Sequence, residues 1–377
     1  MSRDPSASQS TQCQPANKRA RRNEPDCTIT LGTDFGGLES PRLALLNLGF
    51  KVRHRFTSET DPHCVKLSEC LYKDIEIRYG DIKERNNAKA PRVDVYVAGV
   101  PCVTWASNGP RTGMDDERGE LWAYSLSYVV ERRPALALFE CAPTLMTWKK
   151  FKPVLDRILA VLDKAGYRVE KALMDTQEHG LPQHRPRTYL LAFCRQRLCK
   201  QFKWPKPVVP MPLAQLLRGP RVKSEEDMLP KGGRSRILVE NELRKIANSG
   251  KIPPPGERVI VELNCTVAWG QHAIGTFPCI TARRGQGCDW WLVDLGRKVT
   301  IDELMMLQGL TPGAIDYKQA GVPAGRFGHM LGNSMSMNVL ERLLSSLLPA
   351  AGLTDTLPDH WASGAAHKAF DESVRND

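Results

Sequence analysis

No Cys-x-x-Cys pair and no Cys/His grouping at metal-ligand spacing occurs among the eleven cysteines of this 377-residue chain. That pattern argues against a bound metal and against a disulfide framework, and it fits a reducing, intracellular setting. No apolar run is long enough to span a bilayer, and the polar first residues lack a signal-peptide core, so no membrane association is expected. No internal repeat is visible, which sets repeat architectures aside. Acidic residues are the scarcer charge: 42 Asp and Glu stand against 53 Lys and Arg, a net charge of +11 that favours a polyanionic partner. What remains is an ordinary globular mix, 41% hydrophobic and 25% charged, with length enough for one large domain and a smaller one.

The stretch richest in chemistry is Gly99-Val100-Pro101-Cys102-Val103-Thr104-Trp105-Ala106-Ser107-Asn108-Gly109, directly after the apolar run Val93 to Ala98. A β-branched run bounded by Gly and Pro reads as a buried strand ending in a loop, and open α/β sheets carry their reacting groups at that end. Cys102 therefore stands where chemistry is expected, although most single cysteines are inert core thiols and the residue alone means little. Upstream, the run from Cys27 to Pro41 reads as a strand, a Gly36-Gly37 turn and the start of a helix carrying Leu43, Leu45, Leu46 and Leu48, stopped at Gly49. Such a turn lets backbone approach a cofactor, and the helix N-terminus favours negative charge. The next strand, from Lys51, ends at Glu59, an acid about 20 residues past the turn, placed to accept from both ribose hydroxyls of an adenosine. Asp81, in Gly80-Asp81-Ile82, closes a third segment and is placed to accept from an adenine amino group. Either acid alone is as well explained by a surface charge; their recurrence at successive strand ends is what carries weight.

Beyond Cys102 a polar stretch with Arg111, Asp115, Asp116, Arg118 and Gly119 reads as a mobile lid, followed by a helix over 120–131. The strand 135–139 delivers Glu140, whose carboxyl, desolvated at an apolar strand end, should favour the protonated form and suit a proton donor. A helix over 151–165 and a strand near 167–170 lead to Gln183-His184-Arg185-Pro186-Arg187. Alternation puts both guanidinium groups on one side, suited to a phosphate or a base carbonyl oxygen, or simply to solvent. From 197 to 258, fourteen Lys or Arg stand against six Asp or Glu, the footprint of a nucleic-acid-binding insertion or of a solvated one. Thr300 and Glu303 predict a capping box for a helix over 301–308, and a last amphipathic helix is expected from Gly328 through Leu347.

As an ordered set, Asp34-Phe35-Gly36-Gly37-Leu38, Glu59, Gly80-Asp81-Ile82, Gly99-Val100-Pro101-Cys102, Asp115-Asp116-Glu117-Arg118-Gly119, Glu140, Gln183-His184-Arg185-Pro186-Arg187, Pro278-Cys279-Ile280-Thr281-Ala282-Arg283 and Gly332-Asn333-Ser334 resemble the cytosine carbon-5 methyltransferase family. Pro-Cys alone would carry nothing. Pro-Cys, then a strand-end Glu, then Gln-x-Arg-x-Arg, in this order, is specific. The resemblance implies an α/β fold, a Rossmann-like S-adenosylmethionine-dependent methyltransferase sheet with a smaller target recognition domain. It implies a pocket for S-adenosylmethionine lined by Asp34, Phe35, Gly37, Leu38, Glu59, Asp81, Ile82, Pro101 and Asn333. It further implies Cys102 as nucleophile, Glu140 as the group that holds and protonates the ring, and Arg185 and Arg187 as hands for the base and a neighbouring phosphate. The partner so implied is double-stranded DNA, bound by a monomer; the family's tRNA-modifying branch carries a Cys-Phe-Thr element that is absent here.

The expected organisation is a disordered basic arm over 1–26, a catalytic and cofactor-binding domain over 27–196, a target recognition insertion over 197–272, a return to the catalytic domain over 273–350, and a flexible tail over 351–377. The arm holds Lys18-Arg19-Ala20-Arg21-Arg22, suited to a nuclear address, a phosphate-binding arm, or no reader at all. Three departures from the family pattern stand out. Glu39-Ser40 occupies the place of one or two further glycines; Glu140-Cys141-Ala142 replaces Glu-Asn-Val; and Val103, Trp105 and Ala106 follow Pro-Cys where the family commonly has Gln and later Phe-Ser.

Overall fold

The computed structural model describes residues 28–101, 120–219, 228–250 and 253–375. Cys102, the expected lid residues through Gly119 and the basic cluster from Lys18 to Arg22 lie outside the described residues.

In chain order the first half comprises β1 (Thr28–Asp34), α1 (Ser40–Asn47), β2 (Lys51–Ser58), α2 (Pro62–Leu71), β3 (Ile77–Tyr79), β4 (Val95–Gly99), α3 (Leu121–Arg132), β5 (Leu136–Cys141), the single turn α4 (Thr144–Thr147), α5 (Lys152–Lys164), β6 (Tyr167–Asp175) and β7 (Pro186–Cys194). The seven strands form one sheet in the order β3-β2-β1-β4-β5-β7-β6, in which β7 alone is antiparallel to its neighbours. Both faces are covered, so each central strand is apolar on both sides. Val95 and Val97 of β4, with Leu136 and Leu138 of β5, pack against Leu45 of α1. The alternate residues Tyr96, Ala98, Ala137 and Phe139 pack against Trp122 and Val129 of α3 and Ile158 of α5. The expected α/β sheet is thus present, with the ends of β1, β2, β4 and β5 along one edge.

The second half comprises α6 (Leu213–Leu216), α7 (Gly233–Asn248), β8 (Val259–Glu262), β9 (His272–Ile274), α8 (Ala282–Gly287), β10 (Trp290–Leu292), β11 (Arg297–Lys298), α9 (Ile301–Leu307), α10 (Ala324–Asn333), α11 (Met337–Ala350) and α12 (Ala365–Arg375). Strands β11-β10-β8-β9 make a separate antiparallel sheet. The expected boundary at residue 272 falls at the first residue of β9, and the small sheet closes only at Lys298, because β8 pairs with both β9 and β10. Within the basic stretch, α7 sets Val239 against Val261 and Leu263 in a small apolar cluster of its own. The capping box at Thr300 forms, with its hydroxyl accepting from Glu303 N and the Glu303 carboxylate accepting from Thr300 N.

Two expectations near the C-terminus are corrected. The single helix from Gly328 to Leu347 is two helices, broken at Ser334 to Ser336, where the Arg185 guanidinium takes the carbonyls of Gly332 and Ser334. The tail beyond residue 350 is not loose. Trp361 and Phe370 are buried in the main core, Trp361 Nε1 donates to Glu341 Oε2, and Arg342 pairs with Asp359. Two large aromatics in a polar tail are enough to dock it. No helix among the described residues is long and apolar enough to cross a membrane.

Candidate active site

Between β1 and α1 the chain makes a tight turn in which Phe35, Gly37 and Glu39 all adopt left-handed backbone, at φ 57°, 55° and 58°. For non-glycine residues that conformation costs roughly 1 kcal/mol each and needs compensation. Glu39 finds it inside: its carboxylate accepts from the hydroxyls of Thr33 at 2.9 Å and Thr57 at 2.5 Å, and the residue is only 1% exposed. Burial pushes the Glu39 carboxyl up to about 7 despite those two bonds. The Glu59 carboxylate, at the end of β2, accepts from the backbone N–H of Gly37, Thr60 and Asp61 and is thereby fixed beside the turn. Burial raises its pKa, against the pull of those amides.

The turn forms one wall of a cleft whose lining includes Asp34, Phe35, Gly37 and Leu38, with Gly99 at the end of β4 and Asn333 to Met335 opposite. Asn333 reaches it because α10 lies almost against α8: a Cβ on Gly332 would sit 2.3 Å from the backbone of Thr281 and Ala282, so no larger residue fits there. Five of the expected cofactor residues, Asp34, Phe35, Gly37, Leu38 and Asn333, therefore meet around one space. Asp34 differs from expectation in one respect: its carboxylate is engaged by both Arg85 Nη atoms and by the Tyr96 hydroxyl beneath the turn. Glu59 adjoins the cleft through Gly37. Asp81, which caps a short turn by accepting from Lys83 N at 2.9 Å, the buried Ile82, and Pro101 just past β4 stand outside its lining.

Along the same sheet edge, Glu140 occupies the penultimate position of β5 and is 5% exposed. Arg187, entering β7, brings Nε to 3.0 Å from Glu140 Oε1. Burial nevertheless holds the Glu140 carboxyl above the usual carboxylate range, with Arg187 and Arg185 pulling it down. This is the direction expected of a proton donor. Arg187 also sends Nη1 to Pro186 O at 2.8 Å and Nη2 to Cys279 Sγ at 3.7 Å.

Arg185 is 2% exposed, and its Nη1 and Nη2 donate to the carbonyls of Ile280, Gly332 and Ser334 at 2.5, 3.0 and 2.6 Å, so its guanidinium ties these segments together. A buried cation needs that many acceptors. Beside it, Gln183 is fully buried and donates to Leu307 O, while its Oε1 accepts from Ile280 N. Thr33 and Met335 line the cleft without having been singled out from the sequence, and Cys279, named there only as part of a motif, stands between the two arginines. Cys279 had a signal: it is the chain's second Pro-Cys.

Residues 34–348 match the model of the family described as C-5 cytosine-specific DNA methylase. The type II methyltransferase M.NgoBI of Neisseria gonorrhoeae is 28% identical over 334 residues, 86% of this chain and 94% of that protein. The type II methyltransferase M1.ScrFI of Lactococcus lactis subsp. cremoris is 31% identical over 176 residues, which is 46% of this chain and only 44% of the relative's own length. The orphan methyltransferase M.SPRI of Bacillus phage SPR is likewise matched over 38% of its length, so the chain spans less than half of these two relatives. Among solved structures, the Entamoeba histolytica methyltransferase EhMeth superposes with a TM-score of 0.57 over 85% of this chain and 98% of that one, at 14% identity, a likeness of fold. With the family match running from the Phe35 turn through the last core helix, over the same residues that build the cleft and the Glu140–Arg187 edge, this chain belongs to the C-5 cytosine-specific DNA methylase family.

Proposed function

We propose that the chain transfers a methyl group from S-adenosylmethionine to carbon 5 of cytosine in double-stranded DNA, through a covalent bond from Cys102 to carbon 6 of a base turned out of the duplex. The observation that carries this reading is Glu140: a buried carboxyl, held above its usual range, on the sheet edge that also carries the Phe35 cleft and the strand leading to Cys102. The cleft suits the cofactor, since Gly37 leaves backbone bare at a left-handed turn and Glu59 is pre-oriented by three amides with acceptor capacity left for hydroxyl groups. Phe35, Gly37, Leu38, Glu59 and Asn333 would hold it, and when bound it supplies an electrophilic methyl group.

The chain's own residues do the rest. Carbon 5 of cytosine is too electron-poor to accept a methyl group unaided. Attack of the Cys102 thiolate at carbon 6 pushes electrons toward carbon 5, and a proton given by Glu140 at ring nitrogen 3 prevents negative charge from accumulating; help of this kind is worth roughly 100- to 10,000-fold. Loss of the carbon-5 proton to a base then restores the ring and expels the thiolate. Turning the base out costs a few kcal/mol, met by backbone contacts. We assign that task to the region from 197 through the small sheet, where fourteen Lys or Arg face six Asp or Glu between 197 and 258. We assign Arg185 to positioning, because its nitrogens serve carbonyls, and Arg187 to the carboxyl.

The test is to incubate the full chain with radiolabelled S-adenosylmethionine and, separately, duplex DNA and tRNA, followed by bisulfite sequencing of the DNA. Label in DNA at converted-resistant cytosines is expected, and Cys102→Ser should abolish it while cofactor binding persists. Label confined to tRNA, or activity retained by Cys102→Ser, would overturn the reading.

A further inference from the structure

Cys279 is a half-buried nucleophilic group that the reaction above does not use. Its Sγ lies 3.7 Å from Arg185 Nη1 and 3.7 Å from Arg187 Nη2, so two guanidinium groups converge on one sulfur. Its third polar contact is Ile280 O at 3.7 Å, to which a thiol would donate; a neutral thiol is nonetheless a weak acceptor for two cations, whereas a thiolate satisfies both. Burial opposes the charged sulfur here, but Arg187 and Arg185 outweigh it and hold the thiol below its usual range.

The charge balance of the site gives that sulfur a purpose. Arg185 is 2% exposed and Arg187 is half-buried, and both lie beside a carboxyl that must be neutral to give up a proton. One buried and one half-buried cation facing a neutral acid are costly unless an anion stands nearby. We propose that Cys279 is a positioning residue of the carboxyl site, an anionic sulfur that anchors the outer nitrogen of Arg187 so that Nε faces Glu140. The sulfur then serves as counter-charge in place of Glu140, which is left free to hold its proton. Among the described residues, the charged and titratable groups facing the pair include Arg185, Arg187 and Tyr189, all from β7 or the segment entering it.

This inference rests on the reading of Glu140 as proton donor, and its test separates the two. In the full chain, the ultraviolet absorbance of thiolate at neutral pH should drop in Cys279→Ala relative to the unmodified protein. The kcat for DNA methylation should fall roughly tenfold with the Kd for S-adenosylmethionine unchanged. Without the sulfur, Arg187 turns wholly to Glu140, which then ionises more readily, so the alkaline limb of the kcat profile should move to lower pH. Cys279→Asp, a fixed anion, should restore that limb, and Cys279→Ser, neutral at these pH values, should not. An unchanged absorbance, or an alkaline limb that stays in place in Cys279→Ala, overturns the inference. An unmodified chain that transfers no methyl group refutes the reaction itself, and the positioning role with it, while the absorbance still reports whether the sulfur is charged.

Discussion

Glu39 Oε2 lies 3.8 Å from His54 Nε2, with both side chains shut off from solvent directly behind the Phe35 turn. Burial moves the two in opposite directions: Glu39 rises from 4.5 to about 7, and His54 falls from 6.5 to about 3, the latter helped by Arg42. Between 4.5 and 7 the folded chain binds more protons at Glu39 than the unfolded chain, so this residue removes stability as pH rises through that window, by up to about 3 kcal/mol. His54 has the opposite slope between 3 and 6.5, because the unfolded chain binds its proton first. Glu39→Gln should therefore be more stable than the parent at pH 8 and lose that advantage toward pH 4.5, in urea unfolding across pH. A gap that is the same at every pH would show that Glu39 does not titrate as its burial implies.

Replacing Glu140 with Gln keeps the volume and an acceptor for Arg187 but removes the proton. The expected loss in kcat is roughly 100- to 10,000-fold, with binding of S-adenosylmethionine unchanged by calorimetry. A variant losing less than tenfold would take the carboxyl out of the chemistry.

Arg185→Met tests a structural role for a residue that the motif alone would place at the ligand. Three carbonyls, of Ile280, Gly332 and Ser334, would lose their donor. Bonds from a charged donor are each worth about 1.5–3 kcal/mol, so a loss of at least about 3 kcal/mol is expected in denaturant melts. Because two of those carbonyls flank Asn333, cofactor affinity should fall as well. A stable variant with reduced DNA affinity alone would return Arg185 to the ligand.

Trp361→Ala should cost about 3–5 kcal/mol, since the indole is 2% exposed and its Nε1–H donates to the buried Glu341. Chymotryptic digestion should then cut the segment around α12, which the parent protects. Equal digestion of both proteins would show that the C-terminal segment contributes nothing to the core.

The parts of this fold legible from the sequence are those governed by local pattern. Val95 to Gly99 is apolar on both faces and could be nothing but a central strand, and Thr300 with Glu303 announces a helix start within four residues. Glu140 was readable as a desolvated acid because its own strand is apolar. Arg185 and Arg187 were not separable: alternation places both on one side, but which one is buried depends on Gly332 and Ser334, far along the chain. The break before α11 has the same origin, since the carbonyls that interrupt the helix are drawn off by that distant guanidinium. Glu39 could be seen as a departure from a glycine pattern, whereas its partners Thr33, Thr57 and His54 converge only once β1 and β2 are paired.

In a sheet whose strands all run one way, only the closing residues of each strand arrive at the working rim. Turning β7 around delivers an opening residue there instead, and Glu140 and Arg187 become near neighbours across one ladder, with Glu140 in register with Tyr189. Their spacing is set by the register of the ladder, Arg187 standing two residues before Tyr189 as the diagonal neighbour of Glu140. The connection from Asp175 to Pro186 has other work: its buried Gln183 and Arg185 fasten Leu307, Ile280, Gly332 and Ser334 to the same rim, so one short segment joins the ladder that seats the acid to the helices that close the cleft.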